Sequence, residues 1–246
     1  MWGNNRRKKV LVLNGSPKQN KSSTMVITNA FLQGMKEYED CDIEVINVQS
    51  LHIIPCTGCL SCWGHTEGDC VIKNDDVLKV KEKILDSDII IESFPLFFFG
   101  MPGVLKLLTD RLLSMMLTYR GHKPPEDGSS FHGLRYMDTN KRFILISTCA
   151  YTEVDKVYDS VISEFDYICG KDSYFKIFVP QVKTLVDIKN ENKLNRFLTK
   201  YIEAGKTFME IGYLDKDQQA SLSKPPFSEG AYKIFLDQFW QEEKTR

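Results

Sequence analysis

Four cysteines, Cys56, Cys59, Cys62 and Cys70, follow the spacing C-x2-C-x2-C-x7-C. Three thiols at intervals of three, with a fourth close behind, can grip several corners of one cuboidal [4Fe–4S] cluster. Pro55 and Gly58 would help the backbone fold tightly around it. The same spacing admits other chemistry. Structural zinc also takes four thiolates, though it prefers two separated pairs. A Cys-x-x-Cys pair can cycle as a disulfide, and four unligated thiols can persist on a substrate-facing loop. His65 in the same stretch reads as a surface histidine. The other three of the seven cysteines, Cys41, Cys149 and Cys169, fall on expected elements and read as small buried hydrophobes. Cys149 is also placed to face a ligand.

A second constellation, Gly15-Ser16-Pro17-Lys18-Gln19-Asn20-Lys21-Ser22-Ser23-Thr24, lies between a short apolar run and a helical pattern. A strand-to-helix turn of this kind aims backbone N–H groups and the positive helix end at an anion, and hydroxyls add donors. Ser16, Lys18, Ser22, Ser23 and Thr24 are therefore the candidate phosphate ligands. No G-x-G-x-x-G occurs, which argues against a dinucleotide fingerprint. Gly15…Asn20-Lys21-Ser22 approaches a P-loop, but Asn20 stands at its second glycine and Pro17 is poorly suited to wrapping phosphates. A Ser-rich helix cap without a ligand is the plain alternative.

The elements that would hold these residues alternate between two periodicities. Strands are expected at Val10–Leu13, Asp42–Val48, Asp88–Ser93, Phe143–Ser147 and Phe175–Val179. Ile89-Ile90-Ile91 is too uniformly apolar for a one-sided strand and fits a parallel strand covered on both faces. Helical spacing runs from Ser23 through Ile27, Phe31 and Met35, and from Asp76 to Leu85 with Asn74 or Asp75 as N-cap. It returns over Val104–Met116, from Val154 to Ile168, and from Leu194 to Met209. Five strands alternating with helices indicate a doubly wound α/β sheet with right-handed crossovers. Residues 1–212 read as one domain, and residues 213–246 as a polar linker (215–230) and a last helix striped by Ala231, Ile234/Phe235 and Phe239/Trp240. That helix either folds back or docks on another protomer.

Lys and Arg total 32 against 33 Asp and Glu in 246 residues, a formal charge of −1, so no general nucleic-acid affinity is expected. The basic cluster Arg6-Arg7-Lys8-Lys9 reads as a solvated strand entrance. The richest apolar stretch, Ile89 to Leu108, is broken by Glu92, Pro95, Gly100, Pro102 and Lys106, so no membrane span is expected. Val10–Leu13 is too short for a signal-peptide core, and an odd cysteine count with no export signal points to reduced thiols in the cytoplasm.

At this point a resemblance emerges. A strand ending in Gly15-Ser16-Pro17-Lys18 before a Ser/Thr cluster resembles the phosphate loop of the flavodoxin-like NAD(P)H-dependent FMN reductases. Phe94-Pro95-Leu96-Phe97-Phe98-Phe99-Gly100-Met101-Pro102-Gly103, then Lys106, Asp110 and Arg111, is similar to that family's flavin-flanking loop and helix. Ser147-Thr148-Cys149-Ala150 resembles its third loop, where the family often has glycine at Ala150. The cysteine spacing before Val71-Ile72-Lys73-Asn74-Asp75-Asp76 resembles iron–sulfur flavoproteins, a branch of the same family. The resemblance covers roughly residues 8–180.

The resemblance implies a flavodoxin-like, doubly wound five-stranded parallel sheet with helices on both faces, plus a C-terminal helical extension. It implies FMN, reduced by NAD(P)H, with Pro95, Leu96, Phe97, Phe98 and Gly100 against the isoalloxazine and Thr148, Cys149 and Ala150 at its pyrimidine edge. Cys56, Cys59, Cys62 and Cys70 would hold a [4Fe–4S] cluster, and a neighbouring subunit in a homodimer or homotetramer would complete the flavin site. Physics agrees on the place: a dianion site, a flat apolar slot and backbone donors meet beyond the carboxyl ends of adjacent strands. Simple core packing is the alternative for Phe97-Phe98-Phe99. No side chain reads as a general acid or base, so the flavin would carry the chemistry and pass electrons to an unidentified acceptor. The rival is a non-enzymatic flavin and iron–sulfur electron carrier reduced by a protein partner.

Overall fold

The computed structural model describes residues 6–118, 121, 123, 125–136, 141–186 and 191–245. Five strands, β1 (Lys8–Asn14), β2 (Cys41–Asn47), β3 (Ile89–Pro95), β4 (Arg142–Thr148) and β5 (Phe175–Val179), form one sheet in the order β2-β1-β3-β4-β5. Every neighbouring pair is parallel. The helices are α1 (Ser23–Tyr38), α2 (Val77–Asp86), α3 (Gly103–Arg111), α4 (Asp159–Cys169), α5 (Val182–Val186), α6 (Glu191–Ile211), α7 (Lys216–Leu222) and α8 (Glu229–Lys244). This is the doubly wound parallel sheet expected from the alternating pattern, with the flavodoxin-like strand order that the resemblance implies.

Alternation along each strand divides the core in two. Val10, Val12, Ile89 and Ile91 pack beneath α1 and α6, while Leu11, Leu13, Ile90 and Phe94 pack beneath α2, α3 and α4. Both faces are therefore apolar, as a parallel sheet covered on two sides requires. Two glycines let α1 and α6 cross closely. A Cβ on Gly34 would lie 1.8 Å from the Ile202 carbonyl oxygen, and one on Gly205 would lie 2.0 Å from that of Phe31. The chain leaves β1 for β2 on one side and returns for β3 on the other, so the crevice of this sheet lies at the carboxyl ends of β1 and β3.

Several boundaries differ from the sequence expectation. The α3 helix ends at Arg111, and Leu112–Met115 tightens into a 3-10 turn. The α4 helix begins at Asp159, because Lys156 adopts a left-handed φ of 62° and turns the preceding residues. The stretch expected as a polar linker contains α7. Asp215 and Gln218 cap it reciprocally, and Leu214 and Leu222 anchor it in the core. The α8 helix folds back, with the Tyr232 hydroxyl donating to the Ala150 carbonyl at 2.5 Å. Arg6, Arg7 and Lys9 at the strand entrance are paired with Asp88, Asp40, Asp42 and Asp86. Among the described residues no helix is long and apolar enough to cross a membrane. The Gly/Pro/His stretch 119–140 lies partly outside the described residues.

Candidate functional site

Three loops meet at the carboxyl edge of the sheet. Asn14 of β1 stands opposite Ser93 of β3, and Pro95 of β3 stands opposite Thr148 of β4. The Gly15 amide donates to the Ser93 carbonyl at 2.9 Å, and the Leu96 amide donates to the Thr148 carbonyl at 2.8 Å. Behind them, the Thr24 and Thr148 hydroxyls share a buried hydrogen bond of 2.6 Å, and those of Thr28 and Ser93 share one of 2.8 Å. These bonds fasten α1 to β3 and β4, so the loops form one rigid rim.

In the first loop, buried Ser16 accepts the Lys18 amide on its hydroxyl at 3.3 Å. Ser22 caps α1 by accepting the Met25 amide at 3.0 Å. A hydroxyl that accepts in this way keeps its own proton to donate. The Ser23 and Thr24 amides belong to the first turn, which a helical ladder leaves unpaired. Lys18 and Lys21 are exposed, and no carboxylate pairs with either among the described residues. Two hydroxyl donors, open amides and two uncompensated cations fit a phosphate dianion. Thr24 differs from the other candidates: its hydroxyl is turned inward to Thr148.

The second loop is not core. Phe97, Phe98 and Phe99 are 48%, 97% and 45% exposed. Phe97 and Gly100 exchange two backbone hydrogen bonds of 2.9 Å, and Phe98 and Phe99 between them have φ of 47° and 66°. Two positive φ values in a two-residue connection mark a type I′ turn, which favours Asn-Gly. Bulky residues there cost about 1–3 kcal/mol each, and such strain concentrates at ligand clamps. Phe99 stacks on Tyr151 from the third loop, ring centres 5.6 Å apart. Half-buried Pro95 and Leu96 with exposed Phe97 and Phe98 thus present an apolar wall above the β1–β3 crevice. In the third loop Cys149 is buried, and burial pushes its thiol up from the ordinary value. Ala150 is exposed at the rim.

The four cysteines Cys56, Cys59, Cys62 and Cys70 line one small cavity beside α3, together with Asp110 and Arg111. Burial raises the Cys62 thiol, and the neighbouring thiols of Cys70, Cys56 and Cys59 act in the same direction. Hydrogen bonds from Ser61 lower Cys59. Leu60 and Gly58 both take left-handed backbone, bending the segment around the cavity. The loop is fastened at several points. Arg111 donates to the Ile54 and Ile72 carbonyls at 2.6 and 3.2 Å, the Trp63 indole donates to Met116 at 3.0 Å, and buried Lys81 donates to Gly68 at 2.5 Å. The donor set fits an iron–sulfur cluster in kind and number. Among the described residues no three His, Cys, Asp or Glu are grouped so as to hold a metal ion.

Some site features escaped sequence reading. Tyr151, Tyr232 and Gln181 brace the third loop: Gln181 donates its amide N–H to Tyr151 and its side chain to Thr152. Nothing in their local pattern marks them. Glu92 was legible as a lone acid in an apolar strand run, but only burial shows its state.

A family model described as flavodoxin-like fold matches residues 8–169. An iron-sulfur flavoprotein of Archaeoglobus fulgidus is 34% identical over 113 residues, 46% of this chain and 53% of that protein. One of Clostridioides difficile is 30% identical over 113 residues, 45% of this chain and 49% of that one. The chain therefore spans about half the length of these relatives. Among solved structures, an FMN-dependent NADH-azoreductase of Bacillus anthracis in complex with FMN superposes with TM-score 0.59 at 16% identity, covering 82% of this chain and 99% of that one. An NAD(P)H:quinone oxidoreductase of Methanothermobacter marburgensis gives 0.60 at 16%, covering 82% and 100%. At such identities the likeness is one of fold. The family match runs from the first residue of β1 to the last of α4 and takes in all three rim loops and the cysteine loop, and on that ground the chain belongs to the flavodoxin-like fold family.

Proposed function

We propose that this chain is an FMN-dependent oxidoreductase that draws electrons from NAD(P)H and passes them to a second acceptor. The observation that carries this reading is the rim itself, where an anion cradle with unused hydroxyl donors adjoins a strained, exposed aromatic turn. Bound FMN would supply the redox chemistry, accepting hydride at its N5 and releasing electrons singly or in pairs. Ser16 and Ser22 would donate to the phosphate, with Lys18 and the amides of Ser23 and Thr24 neutralising it. Thr24 would hold Thr148 and the third loop in place. Pro95, Leu96, Phe97, Phe98 and Gly100 would exclude water from one ring face, and the backbone of Thr148, Cys149 and Ala150 would approach the ring edge. The names of the flavoprotein relatives and of the reductase structures support the same reading.

Cys56, Cys59, Cys62 and Cys70 would hold an iron–sulfur cluster once the loop draws its sulfurs together. A homodimer or homotetramer, with residues 1–212 as the flavin domain, belongs to the same proposal. Anaerobic purification followed by an absorption spectrum and NADH or NADPH oxidation tests it. Bound flavin reduced in steady state by a pyridine nucleotide is the expected result. Failure to take up added FMN would sink the flavin reading, and reduction only by a protein partner would favour the electron carrier.

A further inference from the structure

On the sheet face covered by α2, α3 and α4 lies a second cavity, of about 950 Å³. Ile84, Ile90, Leu112, Phe143, Phe165 and Ile168 give it a mainly apolar wall. None of the phosphate-loop, aromatic-turn or third-loop residues of the rim lines it, although Cys56 and Gly58 of the cysteine loop and Asp110 at the end of α3 do, so it reaches the cysteine loop but not the flavin edge. Ligand pockets commonly measure about 300–1,000 Å³ and combine apolar walls with a few placed polar groups.

One such group is Glu92 of β3, which lines the cavity and is 4% exposed. Its Oε2 is buried with no hydrogen-bond partner among the described residues. Burial, and secondarily the Glu164 carboxylate on α4, push the Glu92 carboxyl up to about 8, so at neutral pH it keeps its proton. The Cys169 thiol, also on the cavity wall, is pushed up to about 12, by burial first and then by Glu92, and is likewise neutral. Lys141 and Arg142 line the same cavity at the start of β4; Lys141 donates to the Leu85 and Ser87 carbonyls and Arg142 to that of Gly212. Nothing in the fold requires an acid at position 92. The neighbouring inward positions Ile90 and Phe94 are apolar, and an unpartnered carboxyl in such surroundings is costly until something bonds to it.

We propose that this cavity binds a neutral, largely apolar molecule whose carbonyl oxygen is engaged by Glu92. A protonated carboxyl presents an O–H donor, and its complement is a carbonyl oxygen. Asp110, Glu164 and Asp172 line the cavity as well as Lys141 and Arg142, so its charges are mixed. The choice of a neutral ligand rests on the apolar wall and on the protonated Glu92, unpartnered among the described residues. The site stands whether or not the chain holds flavin.

Equilibrium dialysis of the full chain, as purified, against 2-acetylnaphthalene and its hydrocarbon counterpart 2-ethylnaphthalene tests the assignment. The ketone is expected to bind saturably at one site, about tenfold more tightly than the hydrocarbon. Glu92→Leu, which suits the apolar wall and should fold, is expected to remove that preference. Glu92→Gln, which retains an N–H donor, is expected to keep most of it. Absence of saturable binding, equal affinity for the two probes, or a preference unchanged in Glu92→Leu each overturns the proposal. Ketone binding seen only when the protein is diluted to monomer also overturns it, because a second copy of the chain then covers this face.

Discussion

The Asp75 carboxylate and the Arg111 guanidinium meet at 2.5 Å with each side chain only 1% exposed. Asp75 also accepts the amides of Ile54 and Val77, while Arg111 donates to the carbonyls of Ile54 and Ile72. Both ends of the cysteine loop, the start of α2 and the end of α3 are thus tied at one point. Burial tends to raise the Asp75 carboxyl, but Arg111 and the two amides outweigh it and hold the group below the ordinary carboxylate value. A carboxyl lowered in the folded state stabilises above its unfolded value of about 3.9, and that contribution is lost as the pH falls through the folded value. Arg111→Ala leaves a buried carboxylate without its partner. The expected loss is about 3–5 kcal/mol in urea denaturation at neutral pH. A loss below about 1 kcal/mol would mean that water already reaches the pair.

The phosphate cradle gives a second expectation. Charge-assisted hydrogen bonds contribute about 1.5–3 kcal/mol each, so Ser16→Ala with Lys18→Ala should weaken FMN binding at least about tenfold. Flavin fluorescence titration reads this directly, and unchanged affinity would remove the loop from the site.

Phe98 provides a cleaner test than its chemistry alone suggests. It is 97% exposed with a left-handed φ of 47°, a conformation aspartate tolerates better than phenylalanine. Phe98→Asp should therefore fold at least as well as the parent while losing flavin, because a carboxylate beside an apolar ring is costly to desolvate. Normal FMN content in the purified variant would count against the aromatic turn as the flavin wall.

The strands and the main helices were legible because their apolar runs report the two buried faces of a parallel sheet directly. Ile89-Ile90-Ile91 could belong nowhere else. The α7 helix was not legible: its Lys216–Leu222 segment is polar and short, and it forms because Asp215 and Gln218 cap it and Leu222 finds the core. The exposure of Phe97-Phe98-Phe99 also lay beyond periodicity, since three aromatics in a row suit a core until the turn geometry is seen. The cysteine spacing was plain, whereas the Asp75–Arg111 tie that shapes its loop joins positions 36 residues apart. Tyr232, 82 residues from Ala150, could be placed only by tertiary folding.

Glu92 makes stability depend on pH in the direction opposite to Asp75. Its folded value of about 8 lies above the ordinary 4.5, so the folded state binds the proton more tightly between those limits. Stability is then fully present below the unfolded value and falls as the pH rises, by up to about 1.4 kcal/mol per unit, levelling off above the folded value. Urea denaturation at about pH 5.5 and about pH 8 should show this slope in the parent and a flatter response in Glu92→Gln. Parallel slopes in the two proteins would show that Glu92 is ionised in the fold.

The cysteine set can be tested one residue at a time. A cuboidal cluster held by four thiolates loses a full ligand when any one is replaced, whereas a redox disulfide depends on two. Cys56→Ser, Cys59→Ser, Cys62→Ser and Cys70→Ser should therefore lose iron and sulfide to a comparable extent when purified without oxygen. Loss of activity confined to Cys56 and Cys59, or to Cys59 and Cys62, would instead identify a dithiol pair. Cys70 discriminates best, because it lies outside both C-x-x-C pairs yet shares the cavity and adjoins Arg111. A dithiol mechanism predicts a silent Cys70→Ser, and a cluster predicts one as damaging as the rest. Zinc without sulfide in the anaerobic parent would overturn the cluster and leave the flavin reading untouched, since no rim residue takes part in the cysteine cavity.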